Sequence, residues 1–272
     1  MIIDFHAHCF PDELARRAMP KLEESAGVKA HLDGTLRDLL SSMERAGIEL
    51  SVLHHIATRP GQERTINKWA SEIQGEKILS FGTIHPDSPN WRDEVKRIVD
   101  YGLKGVKFHP SLQAFYPNDP RFYPLYEKIA TLGVPALFHT GTSGLGAGLP
   151  GGGGIKLDYA RPIHLDAVAA DFPELIIIGA HTGWPWHEEL LALIGHKPNV
   201  YMDLSGWSPR YIPATVLDAA RRRLSEKMLF GSDYPFITPE RWLADFEALD
   251  GFSPEVRHKI LYENAARILR LA

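Results

Sequence analysis

The chain has 272 residues, of which 44% are hydrophobic and 24% charged, so its size and composition suit one α/β barrel or two small globular domains. The net charge of -4 argues against a nucleic-acid partner, and the single cysteine excludes an intrachain disulfide. No apolar run reaches the ~18 residues of a membrane span, and no signal peptide is recognisable, so we expect a cytoplasmic protein without a membrane partner.

The first predicted strand carries the most informative motif. An apolar run from Ile2 to Phe5 leads directly into His6-Ala7-His8. Because side chains alternate along a strand, the two histidines would project from one face toward a common point. Neutral imidazole nitrogens in that arrangement suit a divalent metal such as zinc. A lone His-x-His pair is a weak signal, so the prediction depends on what the other strands contribute.

Helical and β-rich segments alternate along the rest of the chain. Helices are predicted at residues 13–24, 36–46, 63–73, 91–101, 121–132, 162–172, 186–195, 213–224, 239–249 and 254–271. The intervening strands are predicted at residues 48–54, 78–84, 103–108, 134–138, 175–180, 200–204 and 228–231. Only residues 141–154 break this alternation, because eight of the fourteen are glycine, and this loop would be either a mobile lid or a passive insertion.

Eight strands separated by helices predict an α/β protein, a (β/α)8 TIM barrel that forms a single domain over residues 1–272. A doubly wound open sheet is the alternative. That fold more often has a glycine-rich phosphate turn between an early strand and a helix, and the glycine-rich run here follows the fifth strand. In a parallel barrel the active site lies at the C-terminal ends of the strands.

Histidines are concentrated at those strand ends. Asp203 and Asp233 end the seventh and eighth strands, and eight of the thirteen histidines end the first six: His6, His8, His54, His55, His85, His109, His139 and His181. From residue type alone, His109 is equally a pocket or a structural residue, and His54, His55 and His85 are better interpreted as structural. Asp203 either orients a metal-bound histidine or simply ends its strand.

The segments that carry these residues also resemble a known family. They are residues 3–8 (IDFHAH), 104–110 (KGVKFHP), 138–141 (FHTG), 172–175 (FPEL), 179–181 (GAH), 199–203 (NVYMD), 230–235 (FGSDYP) and 263–269 (ENAARIL). In this order and over essentially the whole chain, they resemble the amidohydrolase superfamily. Within it, they are most similar to the amidohydrolase-related branch that includes aminocarboxymuconate-semialdehyde decarboxylase-like enzymes.

The resemblance implies a role for each strand-end residue. His6, His8 and His139 would bind one divalent metal ion together with Asp233, which would also accept a proton, and His181 would be the acid/base or electrophilic group. Zinc is the first expectation for the metal, with manganese, cobalt or iron as alternatives. Other branches of the superfamily use a carbamylated lysine on the fourth strand to bridge two metals. Lys107 occupies that strand, but one ion is expected here.

The expected activity is that of a metal-dependent hydrolase, which would act on a small amide, ester or lactone through a metal-activated water. The alternative is a metal-dependent decarboxylase of a small unsaturated or aromatic acid, and a non-catalytic metal-binding protein is the third hypothesis. After His181 the chain reads Thr182-Gly183-Trp184 rather than a glycine run, which argues against a decarboxylase substrate. Arg59, Trp184 and His109 are the predicted contacts of a small-molecule substrate, and a homodimer is left open.

Overall fold

Eight parallel strands follow one another in chain order around one sheet in the computed structural model, which describes residues 1–271. This sequential order confirms the predicted (β/α)8 TIM barrel and rules out the doubly wound sheet, in which the order reverses. The strands are β1 (Ile3–Ala7), β2 (Leu50–His54), β3 (Ile78–Thr83), β4 (Val106–Phe108), β5 (Ala136–His139), β6 (Ile177–Ala180), β7 (Val200–Asp203) and β8 (Met228–Leu229).

Hydrogen bonds between β1 and the residues that follow β8 close the barrel. The backbone N–H of Phe5 donates to the carbonyl of Phe230 at 2.8 Å, and that of Asp233 donates to the carbonyl of His6 at 2.8 Å. Further along the strand, the backbone N–H of His8 donates to the carbonyl of Tyr234 at 2.9 Å. The seam between the first and last strands therefore brings the two ends of the chain together.

A β-bulge interrupts the alternation of side chains in β1. Asp4 pairs with Ser51 and Ala7 with Leu53, so three steps along β1 match two steps along β2. As a result, the rings of the consecutive residues Phe5 and His6 both lie against His54, at centroid distances of 6.0 and 4.6 Å. Bulges commonly redirect a side chain beside an active site, and His6 lies within this one.

Twelve α-helices surround the sheet in the described part of the chain. They are α1 (Asp12–Ala26), α2 (Leu36–Ala46), α3 (Glu63–Glu72), α4 (Trp91–Asp100), α5 (Pro110–Gln113), α6 (Tyr123–Thr131), α7 (Leu165–Asp171), α8 (His187–His196), α9 (Ala214–Arg221), α10 (Pro239–Glu247), α11 (Pro254–His258) and α12 (Asn264–Leu269). The short α5 was not predicted. The helix predicted at 254–271 is observed as an unbroken helical run that ends at Leu269, in which a π-helical segment at Lys259–Glu263 joins α11 to α12.

Helix α2 shows why the sequence forms these elements. The Thr35 side chain accepts the backbone N–H of Asp38 and caps the first turn, and Gly47 ends the helix in a left-handed conformation with φ of 68°. Leu39 and Met43, one turn apart, are buried in the core cluster between helices and sheet. A smaller cluster that includes residues of the strands and of α12 fills the barrel interior. Within residues 1–271, no helix has the length and apolar character needed to cross a membrane.

Candidate metal centre and active site

Three predicted metal ligands meet at the seam between β1 and β8. Nε2 of His6 lies 3.1 Å from Nε2 of His8. Oδ1 of Asp233 lies 3.7 Å from the first of these nitrogens and 3.4 Å from the second. Ligand atoms that each lie about 2.0–2.1 Å from one zinc ion are about 3.0–3.5 Å apart. The three side chains are therefore spaced as ligands of a single ion.

The hydrogen-bond partner of Nδ1 in each of the two rings determines whether Nε2 is available to bind a metal. Nδ1 of His6 lies 2.8 Å from Oδ2 of Asp203, and Nδ1 of His8 lies 2.7 Å from the carbonyl oxygen of His54. Because a carboxylate and a carbonyl only accept, both Nδ1 atoms donate, and a ring in its neutral form then presents a lone pair at Nε2. Two lone pairs 3.1 Å apart cannot hydrogen-bond to each other, so the donor set fits a cation between them.

His139 lies beside this cluster in a different arrangement. Its ring stacks on His109 at a centroid distance of 3.9 Å and meets His181 edge-on at 4.8 Å. Its Nε2 is buried and has no hydrogen-bond partner. Burial, together with the neighbouring imidazoles, lowers the pKa of His139 well below its usual value, so the ring is neutral and able to bind a metal. Its role as a ligand stays a prediction.

His181 is held close to the same cluster. His6, His181 and Asp233 offer ligand atoms that all lie within 4.8 Å of one another, and among residues 1–271 this set includes neither His8 nor His139. The backbone N–H of His181 donates to Oδ1 of Asp203 at 3.0 Å. Burial lowers the pKa of the His181 ring. The structure thus places His181 where it could act either as an acid/base or as a further ligand.

His181 and Asp233 also share an uncommon backbone conformation. Their φ angles are 69° and 64°, in the left-handed region that residues with a Cβ rarely adopt. Hydrogen bonds hold both positions, from His181 to Asp203 and from Asp233 to His6. Non-glycine residues in this region cluster at functional sites, where the surrounding structure compensates the strain. Both residues named from the sequence as catalytic candidates have this property.

The charge on Asp233 follows from its neighbours. Burial alone would raise the pKa of this carboxyl group, but His181, His8 and His6 outweigh the burial and hold the pKa well below its usual range. The Asp233 carboxyl group is therefore ionised at neutral pH. An ionised carboxylate can bind a cation and can accept a proton, whereas it has no proton to give.

Lys107 is buried beside His6. Its Nζ lies 3.4 Å from Nε2 of His6, and the described residues place no carboxylate within 4.0 Å of it. Burial lowers the pKa of Lys107 to about 8, although Asp203 and Asp233 oppose the shift. Lys107 thus points toward the site from β4.

The three predicted substrate contacts lie in different environments. His109 is buried beside His139, whereas Arg59 is exposed on the loop after β2. Trp184, which is 44% exposed, packs edge-on against Trp207 at a centroid distance of 5.8 Å. These two loops follow β6 and β7 and leave an aromatic surface near the mouth of the barrel. The structure therefore places His109 beside His139 and Trp184 in an aromatic surface, whereas Arg59 is an exposed residue of the loop after β2 and its contact with a substrate stays a prediction.

The glycine-rich loop after β5 is attached to α1. The backbone N–H of Gly146 bonds to Ser25, with both its carbonyl and its hydroxyl oxygen at 2.9 Å, and Gly148 donates to the carbonyl of Ser25 at 3.0 Å. In a barrel with strands in chain order, β5 lies opposite β1. The loop thus reaches an element on the far side of the barrel, which the sequence did not predict.

Sequence reasoning also missed Ser205. This buried residue lies between His181 and Asp203, and its Oγ is 2.8 Å from Nδ1 of His181. The one available signal was its position two residues after the strand end at Asp203, where a serine or aspartate commonly forms a local turn. That pattern occurs at many turns and does not by itself indicate a site.

Comparison with known proteins places this geometry in a family. The family model described as Amidohydrolase matches residues 3–271. Among curated proteins, the protein fluG of Emericella nidulans is 28% identical over 127 residues. That alignment covers 45% of this chain and 14% of the relative, so most of the relative lies outside the comparison.

Solved structures resemble the whole barrel. An uncharacterised TIM-barrel protein of Bordetella bronchiseptica is 25% identical, with a TM-score of 0.78 and coverage of 99% of this chain and 98% of that one. The 5-carboxyvanillate decarboxylase of Novosphingobium aromaticivorans, crystallised with manganese and 4-hydroxy-3-methoxy-5-nitrobenzoic acid, is 16% identical with a TM-score of 0.71 and covers 100% and 96%. A probable 2-pyrone-4,6-dicarboxylic acid hydrolase of Acinetobacter baumannii, bound to citric acid, is 16% identical with a TM-score of 0.70 and covers 99% of both chains.

Proposed function

The chain belongs to the amidohydrolase family, and from this premise we propose that it is a metal-dependent hydrolase of a small amide, ester or lactone. One observation carries the proposal. The Nε2 lone pairs of His6 and His8 face each other at 3.1 Å beside the Asp233 carboxylate. A cation satisfies all three groups at once, whereas Lys107, whose Nζ is 3.4 Å from Nε2 of His6, offers a hydrogen bond to that nitrogen alone.

His6, His8 and Asp233 would hold the ion, and the lone pair of His139 or His181 would complete its coordination. A divalent ion in this site would supply Lewis acidity, which lowers the pKa of a water molecule and polarises a carbonyl group. Mixed nitrogen and oxygen ligands suit zinc first, with manganese, cobalt or iron as alternatives. The manganese in the solved decarboxylase supports a divalent ion in this kind of barrel without identifying it for this chain.

The chain's own groups can manage the proton. Asp233 is held as an anion, so one of its carboxylate oxygens can accept the proton of the attacking water. His181 is neutral, and its ring lies within reach of Asp233. It can therefore take up that proton and release it to the leaving group. Water attack and departure of the leaving group are thus served by two adjacent side chains.

Decarboxylation of a small aromatic or unsaturated acid is the second candidate. The observation that favours it is the similarity over nearly full length to a solved decarboxylase, although 16% identity supports the fold alone. In that reaction, a proton must reach the carbon atom from which carbon dioxide departs. Because its neighbours hold the pKa of Asp233 well below its usual range, this carboxylate would have to gain a proton before it could deliver one to carbon.

The two reactions differ in their products, which gives the test. Purified protein loaded with zinc, and in parallel with manganese, is incubated with a panel of amides, esters, lactones and aromatic carboxylates in ¹⁸O-labelled water. Hydrolysis incorporates the label into the product acid without release of carbon dioxide, and this is the expected result. Carbon dioxide release without incorporation would establish the second candidate instead. The Asp233→Asn variant should be inactive in either case, and His258→Ala, an exposed histidine, should retain activity.

A further inference from the structure

Ser205 connects two groups that the proposed function uses only separately. It lies two residues after β7 and is fully buried. Its Oγ is 2.8 Å from Nδ1 of His181, and the same hydroxyl donates to Oδ1 of Asp203. The backbone N–H of Ser205 also donates to that oxygen, at 3.0 Å. The serine hydroxyl is therefore fixed on one side by a carboxylate and faces an imidazole on the other.

The directions of these hydrogen bonds follow from the number of protons. A serine hydroxyl has one proton, and a carboxylate can only accept, so the proton of Ser205 goes to Asp203. The hydroxyl oxygen must then accept a proton from Nδ1 of His181. A neutral imidazole has only one N–H group, so this contact leaves a lone pair at Nε2.

We propose that Ser205 is a positioning residue that holds His181 as the Nδ1–H tautomer, with the Nε2 lone pair directed at His6 and Asp233. This inference rests on the proposed function for its catalytic meaning, because the lone pair is what His181 needs in order to accept a proton or bind the metal. We take His181 as the proton acceptor, so loss of this tautomer should lower turnover and leave the metal content unchanged. Without Ser205, the ring could place its proton on either nitrogen.

The next residue restricts the ring from a second direction. Gly206 has φ of 81°, and a Cβ at this position would lie 2.7 Å from Nδ1 and 3.1 Å from Cγ of His181. The imidazole thus packs directly against the backbone that follows Ser205, where only glycine leaves space. With its own backbone N–H bonded to Asp203, His181 is held at both its main chain and its ring.

The two carboxylate oxygens of Asp203 bond to different residues, so the effect of Ser205 can be measured separately from metal binding. Oδ2 of Asp203 accepts a hydrogen bond from Nδ1 of His6. Its Oδ1 accepts hydrogen bonds from the hydroxyl and backbone N–H of Ser205 and from the backbone N–H of His181. Removing the Ser205 hydroxyl therefore leaves the support of the metal ligand His6 intact. A loss that affects His181 without affecting metal content is the signature of this arrangement.

The test compares Ser205→Ala with Ser80→Ala. Ser80 is equally buried on β3, but its hydroxyl has no hydrogen-bond partner to lose. The tautomer is measured directly by ¹⁵N–¹H NMR of metal-free protein labelled at histidine, with the His181 signals identified by their absence in His181→Gln. Metal content is measured by elemental analysis, and kcat and KM are measured on the substrate that the product assay identifies.

Wild type and Ser80→Ala should show a protonated Nδ1 on His181. Ser205→Ala should show exchange between the two tautomers, with unchanged metal content, a kcat lower by about 10- to 100-fold and a KM close to that of wild type. A wild-type His181 protonated at Nε2 overturns the proposal, even if Ser205→Ala does not fold. An unchanged tautomer in folded Ser205→Ala also overturns it. Because the NMR measurement needs neither metal nor turnover, it stands if the hydrolase proposal fails.

Discussion

Nδ1 of His6 on β1 lies 2.8 Å from Oδ2 of Asp203, which ends β7. Because the other oxygen of Asp203 accepts from His181 and Ser205, one side chain on β7 orients both a predicted metal ligand and the neighbouring catalytic candidate. Carboxylates behind a metal-binding histidine fix its tautomer and raise its basicity.

Asp203→Asn should therefore weaken metal binding by about 10- to 100-fold, a typical cost of losing such a partner. An amide offers one acceptor oxygen in place of two, so either His6 or the pair of Ser205 and His181 loses its partner. Competition titration with a zinc chelator measures the effect. Asp245→Asn is the control, since Asp245 is also buried and bonded to a serine, Ser208, outside the site. Equal affinities of Asp203→Asn and wild type would contradict the prediction.

The metal content of histidine variants should distinguish the metal ligands from the other histidines. His6→Ala removes one of the two facing Nε2 lone pairs, and we expect purified protein to lose most of its metal. His181→Ala should retain metal and lose activity. Elemental analysis of protein prepared without chelator distinguishes the two, with His258→Ala as an exposed control. Equal metal loss in His6→Ala and His181→Ala would show that His181 is a ligand rather than an acid/base.

The stability of the metal-free protein should depend on pH through Asp4. Burial, opposed by hydrogen bonds from Ser232 and His6, raises the pKa of Asp4 from 3.8 to about 7. Folded protein thus retains a proton that unfolded protein releases above about pH 4, so the free energy of unfolding falls as the pH rises toward 7 and is level above it. Each pKa unit corresponds to about 1.4 kcal/mol.

Asp4→Asn has no such proton, so it should be more stable than wild type at pH 8 and should have a flatter pH profile. Its amide can still accept the two backbone N–H groups through one oxygen. Urea unfolding at several pH values between 5 and 8 tests this. If the two proteins lose stability in parallel as the pH rises, the pH dependence belongs to another group.

The glycine-rich loop should detach from α1 when Gly148 is replaced. A Cβ at Gly148 would lie 2.7 Å from the carbonyl oxygen of Glu24 and 3.1 Å from the backbone nitrogen of Gly27, so Gly148→Ala forces the two segments apart. We expect faster amide hydrogen exchange and faster proteolysis within residues 141–154. Gly144→Ala is a matched control in the same loop, because a Cβ there has nothing within 4 Å. Identical exchange rates in the two variants would mean that the contact with α1 does not hold the loop.

Much of the barrel could be predicted because its elements depend on local patterns. Helix α2 has a capping threonine, an apolar stripe and a terminal glycine, and its predicted bounds match the structure. The strands were placed well but drawn too long, since residues 103–105 precede β4 and residues 230–231 follow β8. The ends of a strand depend on where its neighbours stop pairing, which no local pattern records. The β-bulge in β1 was missed for the same reason.

The sequence predicted which residues lie at the candidate site better than it predicted the distances and hydrogen bonds between them. His6, His8 and Asp233 were predicted as ligands from the family resemblance, and their positions at the ends of parallel strands agree with a site at the barrel mouth. Whether His139 or His181 completes the coordination depends on distances of a few ångströms, which strand position does not determine. Ser205 was missed because its hydroxyl matters only through two partners that lie on either side of it in the folded protein.

By itself, the sequence determined the order of helices and strands and the identity of the residues at the strand ends, since apolar periodicity and turn residues act over a few positions. Only the tertiary structure decided which nitrogen of each histidine faces the site. The acceptors that settle it, Asp203 for His6 and the carbonyl of His54 for His8, come from strands distant in the chain. A tautomer is set by its hydrogen-bond partners, and folding alone brings those partners together.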